Sequence, residues 1–272
     1  MKINANGIEL NVVVEGEGDP VLLLHGFPDS SRLWRNQIPA LVGEGYRAIA
    51  PDLRGFGESE KPEGVDAYSI LNVLGDLSAL CDELGVESAH IVGHDWGAGV
   101  AWGFASIFPD RTRTVTALSV GHPTSFRGAG PEQVMASWYM FLFQFEGVAE
   151  ELLSRNDWEF LRAWTHEAGD FDQYLKDLSR PGALTAGLNW YRANAQPEGW
   201  VGEPLALPPI QAPAMGIWSS GDFALTEKQM IESERFVAGP WRYERIEGAS
   251  HWIPLDAPDK LTDLLLDFFA KN

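Results

Sequence analysis

Val92-Gly93-His94-Asp95-Trp96-Gly97-Ala98-Gly99 places a short apolar run directly before a helical pattern, with glycines two positions before and two after an aspartate. A strand that turns this sharply into a helix crowds its own neighbours. Small residues at 93 and 97 let the chain turn and hold the central side chain, strained, over the strand ends. The pattern is the G-x-nucleophile-x-G elbow, with Asp95 where serine is commoner. On either side of it, β-rich runs at 8–14, 21–24, 46–50, 90–92 and 114–119 alternate with helical patterns. The clearest helix is 69–84, where Ile70, Val73, Leu74, Leu77, Cys81 and Leu84 recur at helical spacing and Gly85 follows as a stop. This order implies an α/β fold, with a mostly parallel central sheet, right-handed crossovers and flanking helices.

From 123 to 208 the character changes. Aromatic residues in helical patterns, among them Trp138, Tyr139, Trp158, Trp164, Trp190 and Tyr191, replace the strands. The stretch bearing Pro204, Pro208, Pro209 and Pro213 reads as the way back. Strands resume at 214–218 and 242–246 around a helix at 226–236, and 258–269 is a last helix. We therefore expect a core of 1–122 and 209–272 with a helical cap, 123–208, inserted in it. The 272 residues can bury a sizeable core, and 45% hydrophobic with 22% charged residues is ordinary globular composition. A net charge of −19 argues against nucleic acid or an acidic membrane surface as partner. No apolar run is long enough for a membrane span. The single cysteine, Cys81, reads as a buried hydrophobe. The opening residues MKINANGIEL lack the pattern of a signal peptide, so a cytoplasmic location is expected.

Several loops follow strands and can meet above one sheet edge. His25-Gly26-Phe27-Pro28 can aim the Phe27 amide at the place served by the Trp96 amide, making an oxyanion hole. His25 itself reads as a structural loop histidine, and Asp52 to Ser59 as a loop-fixing network. Asp222, after the strand at 214–218, and His251, in Gly248-Ala249-Ser250-His251-Trp252, complete the order Asp95, Asp222, His251: nucleophile, acid, base. His94 and His122 are expected to be structural hydrogen-bonders, and His166 a surface residue. Tyr46, Tyr68, Tyr174 and Tyr243 read as packing residues.

Over essentially its full length the chain resembles the α/β-hydrolase superfamily, most closely the soluble epoxide hydrolases. The residues that carry the likeness are His25 to Pro28, Asp52 to Ser59, Gly93 to Gly97, Gly248 to His251 and Leu188-Asn189-Trp190-Tyr191-Arg192. The resemblance implies two ring-opening tyrosines. One maps to Tyr191; the other maps to Tyr139, in Ser137-Trp138-Tyr139-Met140-Phe141, supported by its spacing to Phe143-Gln144.

An aspartate is already ionised at neutral pH and needs no base to attack an sp3 carbon. His251, oriented by Asp222, is then free to activate the water that hydrolyses the resulting ester. Phenols suit an epoxide's departing alkoxide. Halide departure, the alternative reaction, calls for N–H donors, of which Trp96 offers one and Phe27 none. A non-catalytic receptor on the same fold is the alternative of a different kind. The aromatic cap implies an apolar pocket, with Phe27, Trp96 and Trp190 expected to contact a small apolar epoxide. No metal cluster, Walker loop or dinucleotide fingerprint occurs, so no cofactor is implied, and both a monomer and a homodimer stay open.

Overall fold

The computed structural model describes residues 1–202 and 206–272. Eight strands, β1 (Lys2–Ala5), β2 (Ile8–Glu15), β3 (Asp19–Leu24), β4 (Tyr46–Pro51), β5 (Ala89–His94), β6 (Thr112–Leu118), β7 (Ala214–Ser219) and β8 (Trp241–Ile246), form one sheet. Their order is β1-β2-β4-β3-β5-β6-β7-β8. β1 and β2 pair antiparallel at one edge, and every pairing from β4 to β8 is parallel. Parallel strands need crossovers, which bury both faces of the sheet; β5 and β7 are accordingly buried from end to end.

The helices are α1 (Gln37–Gly43), α2 (Ile70–Glu83), α3 (Trp96–Ile107), α4 (Pro123–Gly128), α5 (Pro131–Ala136), α6 (Trp138–Leu142), α7 (Val148–Thr165), α8 (Phe171–Leu178), α9 (Ala183–Asn194), α10 (Glu227–Ile231), α11 (Ile253–Asp256) and α12 (Pro258–Ala270). α2 buries Val73, Leu74, Leu77, Leu80 and Cys81 and leaves Leu71 outside, as its periodicity demands. α4 to α9 follow one another between β6 and β7 with no strand among the described residues. α7 is broken at 155–158, where Asn156, Asp157 and Trp158 take positive φ.

Two expectations need correction. The sequence reading has no strand before residue 8, yet β1 is there. Asn6 and Gly7, at φ 52° and 81°, make the two-residue turn that suits the twist of a hairpin. The helix expected over 226–236 is α10 followed by a 3-10 turn, Glu232–Phe236. Ser233 Oγ donates back to Gln229 O and accepts His122 N, which ties the tightened end to the loop after β6. Of the expected proline-rich return, Pro204 lies outside the described residues. Ile210 then bridges Val237 just before β7.

β3, β5, β7 and β8 run parallel, so the loops after them emerge on one edge of the sheet. Phe27, Asp95, Asp222 and His251 lie in those loops, at the carboxyl ends where open α/β sheets place their sites.

Candidate active site

Asp95 is the one residue between the end of β5 and the start of α3, at φ 54° and ψ −123°. A side chain at Gly93 would collide with the Gly97 carbonyl, and one at Gly97 with the Leu24 carbonyl. The two elbow glycines thus admit the helix against β5 and β3. The carboxylate is buried at the N-terminus of α3, where the helix field favours a negative charge. Its Oδ1 accepts the Phe27 N–H at 2.8 Å, and the carboxylate also accepts the Trp96 N–H. Burial alone would raise the Asp95 pKa. His251, His94 and the Trp96 amide outweigh it and hold the group below the ordinary carboxylate value.

His251 Nδ1 stands 2.8 Å from Asp222 Oδ2, and Nε2 faces Asp95 Oδ2 at 3.7 Å. The Asp222 side chain is fully buried; its Oδ1 accepts the amides of Ala224 and Leu225 at 2.9 and 3.0 Å. Burial depresses the His251 pKa, but Asp222 and then Asp95 overcome this and raise it to about 10. The His251 carbonyl accepts His94 Nε2 and Ser119 Oγ, so His94 is a positioning group, as expected. His25 accepts the Leu53 amide on Nε2 and donates from Nδ1 to Gly26 O, joining two loops. Asp52 accepts from Ser31 N, Glu58 N and Asn11 Nδ2, which is the loop-fixing role read from the sequence. His122 caps α4 and stacks on Phe236, and His166 is exposed.

Tyr139 on α6 and Tyr191 on α9 come together, ring centroids 5.9 Å apart, and both line the cavities that reach Asp95. Burial, reinforced by the Asp95 charge, keeps both phenols well above their ordinary pKa, hence protonated and able to donate. The neighbouring motif residues fix this pairing. Gln144 Nε2 donates to the carbonyls of Met140, Tyr191 and Ala195, tying α6 to α9. Arg192 donates to Phe143 O, Asn189 Oδ1 and Glu150, and the Phe143 ring lies 4.9 Å from that of Tyr191.

Asp95, Tyr139 and Tyr191 stand where two cavities meet. The larger, about 730 Å³ counting space open to solvent, extends past Trp96, Phe126, Met140 and Trp200. The smaller, about 320 Å³, is lined by Phe27, Trp164, Phe223 and His251. Trp190 lines neither, contrary to expectation. It is fully buried, donates Nε1 to Arg54 O at 3.0 Å and packs behind Trp96 and Phe56. Along a helix, adjacent residues point in different directions, so Tyr191 facing the site turns Trp190 away from it. No group of residues able to hold a metal ion occurs among the described residues, and none of their helices is long and apolar enough to cross a membrane.

The description "alpha/beta hydrolase fold" matches residues 19–258. Epoxide hydrolase A of Mycobacterium tuberculosis is 34% identical over 98% of this chain and 96% of its own length. The chain belongs to the epoxide hydrolase family of α/β hydrolases. The AB hydrolase superfamily protein YfhM of Bacillus subtilis is 36% identical over 99% of this chain and 97% of its own. The crystal structure of a Bacillus megaterium epoxide hydrolase in complex with an inhibitor superposes with a TM-score of 0.90 at 29% identity, covering 99% of this chain and 100% of that one.

Within this epoxide hydrolase fold, the structure adds residues the sequence reading missed. Gln133 on α5 accepts Thr226 N and Oγ1 on its Oε1 and donates to Ala224 O and Ser137 Oγ. It thereby links the turn before α6 to the loop that holds Asp222. Asp29 lies buried behind the site, accepting Trp252 Nε1 at 3.0 Å, and burial lifts its pKa to about 7. Its place directly after His25 to Pro28 was a usable signal; Gln133 had none.

Proposed function

We propose that the protein hydrolyses epoxides to vicinal diols through a covalent ester on Asp95, with residues 123–208 acting as a cap over the core. The observation that carries the reading is the pairing of two buried, protonated phenols with a carboxylate that rests on two backbone N–H groups and faces a His–Asp pair.

Oδ1 is engaged by the Phe27 amide, so Oδ2, on the His251 side, is the attacking atom. It forms a bond to an epoxide carbon as the ring C–O bond breaks, and Tyr139 and Tyr191 donate to the departing oxygen. Before the attack His251 is held protonated between two carboxylates. Esterification abolishes the Asp95 charge, so the His251 pKa falls and its proton leaves, balancing the proton the alkoxide takes up. Neutral His251 then removes a proton from water as the water oxygen adds to the ester carbon. The negative charge collects on Oδ1, where the Phe27 and Trp96 amides already point. Collapse expels the diol and restores the Asp95 carboxylate and the protonated His251. Asp222 orients the imidazole and stabilises its charge throughout.

The test is a reaction in oxygen-18 water with enzyme in excess over a terminal epoxide. The first turnover should yield unlabelled diol and labelled Asp95, because the oxygen transferred to product comes from the carboxylate. Diol labelled in the first turnover would reject the covalent route. The single cysteine, Cys81, is buried in α2, which fits a reducing, cytoplasmic setting.

A further inference from the structure

The larger cavity is mostly apolar, with Asp95, Arg127, Asn194 and Gln196 among the polar residues that line it. Arg127, on α4, lines it together with Phe126, Met140 and Trp200, while Asp95 lies at its inner end. A guanidinium carries five N–H donors and cannot be neutralised in a protein. Among the described residues, the one hydrogen bond that Arg127 makes is from Nη2 to Asn194 O at 3.5 Å, the limit of such a bond. It has no carboxylate partner and lies over no aromatic ring among the described residues, although Arg162 and Arg245 do. The side chain of Asn194 is already engaged with Ile70 N, Tyr68 O and Trp190 O. Position 199 presents a glycine to the guanidinium; a Cβ there would stand 3.3 Å from Arg127 Cζ.

An arginine with most of its donors unspent, half-buried in an apolar pocket, is a receptor for a planar anion. We propose that Arg127 is a specificity-determining residue that binds a carboxylate carried at the far end of the substrate, so that the preferred substrates are epoxides bearing an acid group across an apolar chain. The inference rests on the epoxide hydrolase reading and names the class of substrate within it. The apolar stretch of cavity between Arg127 and Asp95 takes the chain, and Tyr139 and Tyr191 take the ring oxygen.

The experiment compares a series of ω-epoxy carboxylic acids of increasing chain length with the matching primary amides, which have nearly the same shape and no charge. At one chain length wild-type enzyme should favour the acid, through a lower KM, by about tenfold or more in kcat/KM. Arg127→Gln should abolish the acid-to-amide preference, and Arg127→Lys should keep part of it because the charge remains. Added salt should erode the preference in wild type, since the site is only half-buried. An acid-to-amide ratio near one in wild type at every chain length, or a ratio that Arg127→Gln leaves unchanged, would overturn the assignment. Styrene oxide serves as the neutral control. If wild type turns it over but shows no acid preference, only the Arg127 site fails; if it turns over neither styrene oxide nor any member of the series, the epoxide hydrolase reading itself fails.

Discussion

Asp95 Oδ2 and His251 Nε2 lie 3.7 Å apart, too far for a hydrogen bond and close enough for charge to pass between them as attraction. A water that hydrogen-bonds to Nε2 can therefore also approach the Asp95 carbon, while the imidazole does not block Oδ2. The separation also divides the two half-reactions. In the proposed mechanism His251 acts on the first through its charge and on the second as a base.

Replacing His251 by Gln should spare alkylation and stop ester hydrolysis. Intact-protein mass spectrometry should then find a stable adduct equal to protein plus epoxide, absent from Asp95→Ala. Asp222→Asn should behave similarly but more mildly, because it changes the orientation and charge of His251 and leaves the imidazole in place. If His251→Gln gives no adduct while wild type is active, the two-step scheme is wrong.

The tyrosines make a separable contribution. Each single Tyr→Phe change at 139 or 191 should slow alkylation by about 10- to 1000-fold, as expected for loss of one acid or oxyanion donor. One phenol partly covers for the other, so the double variant should lose far more. Halide release from 1,2-dibromoethane should stay well below turnover of styrene oxide in wild type. Full epoxide activity in both Phe variants would remove the tyrosines from the mechanism.

Trp190→Phe should act on stability. It removes the bond to Arg54 O and leaves a small void behind Trp96, a loss of about 1–3 kcal/mol. Urea melts should register it, whereas the relative kcat/KM of small and bulky epoxides should stay constant. A changed substrate preference would return Trp190 to the binding site.

The pH dependence of stability should carry two signatures. The His251 pKa rises from 6.5 to about 10 in the folded protein. Its stabilisation is thus complete below the unfolded value and is lost as the pH climbs through the folded one. His251→Gln should flatten that alkaline decline. Asp29 is raised by burial from 3.8 to about 7, so the fold favours its neutral form, and stability falls as the pH rises across that interval. Asp29→Asn, which can still accept from Trp252, should gain on wild type above about pH 7 in denaturant titrations. An unchanged profile between those values would show that the carboxyl is not held neutral.

What the sequence determined by itself was local or periodic in origin. The Gly93–Gly97 spacing announces the elbow because a sharp turn excludes side chains there, and the 3.6-residue recurrence of Val73, Leu77 and Cys81 announces α2. The strand-loop positions of Phe27, Asp95, Asp222 and His251 follow because parallel neighbours bring their carboxyl ends to one edge. Tyr191 and Tyr139 were legible only through motifs whose other members, Asn189, Arg192 and Gln144, turn out to align the two helices. Side-chain direction and long-range pairing were left to the tertiary structure. It turned Trp190 into the core, joined Gln133 to the Asp222 loop across 93 residues of chain, buried Asp29 behind Trp252, and left Arg127, in a mostly apolar cavity, with no carboxylate partner among the described residues. Apart from the place of Asp29 directly after His25 to Pro28, none of these has a local pattern, because each depends on which surfaces meet once distant parts of the chain have packed together.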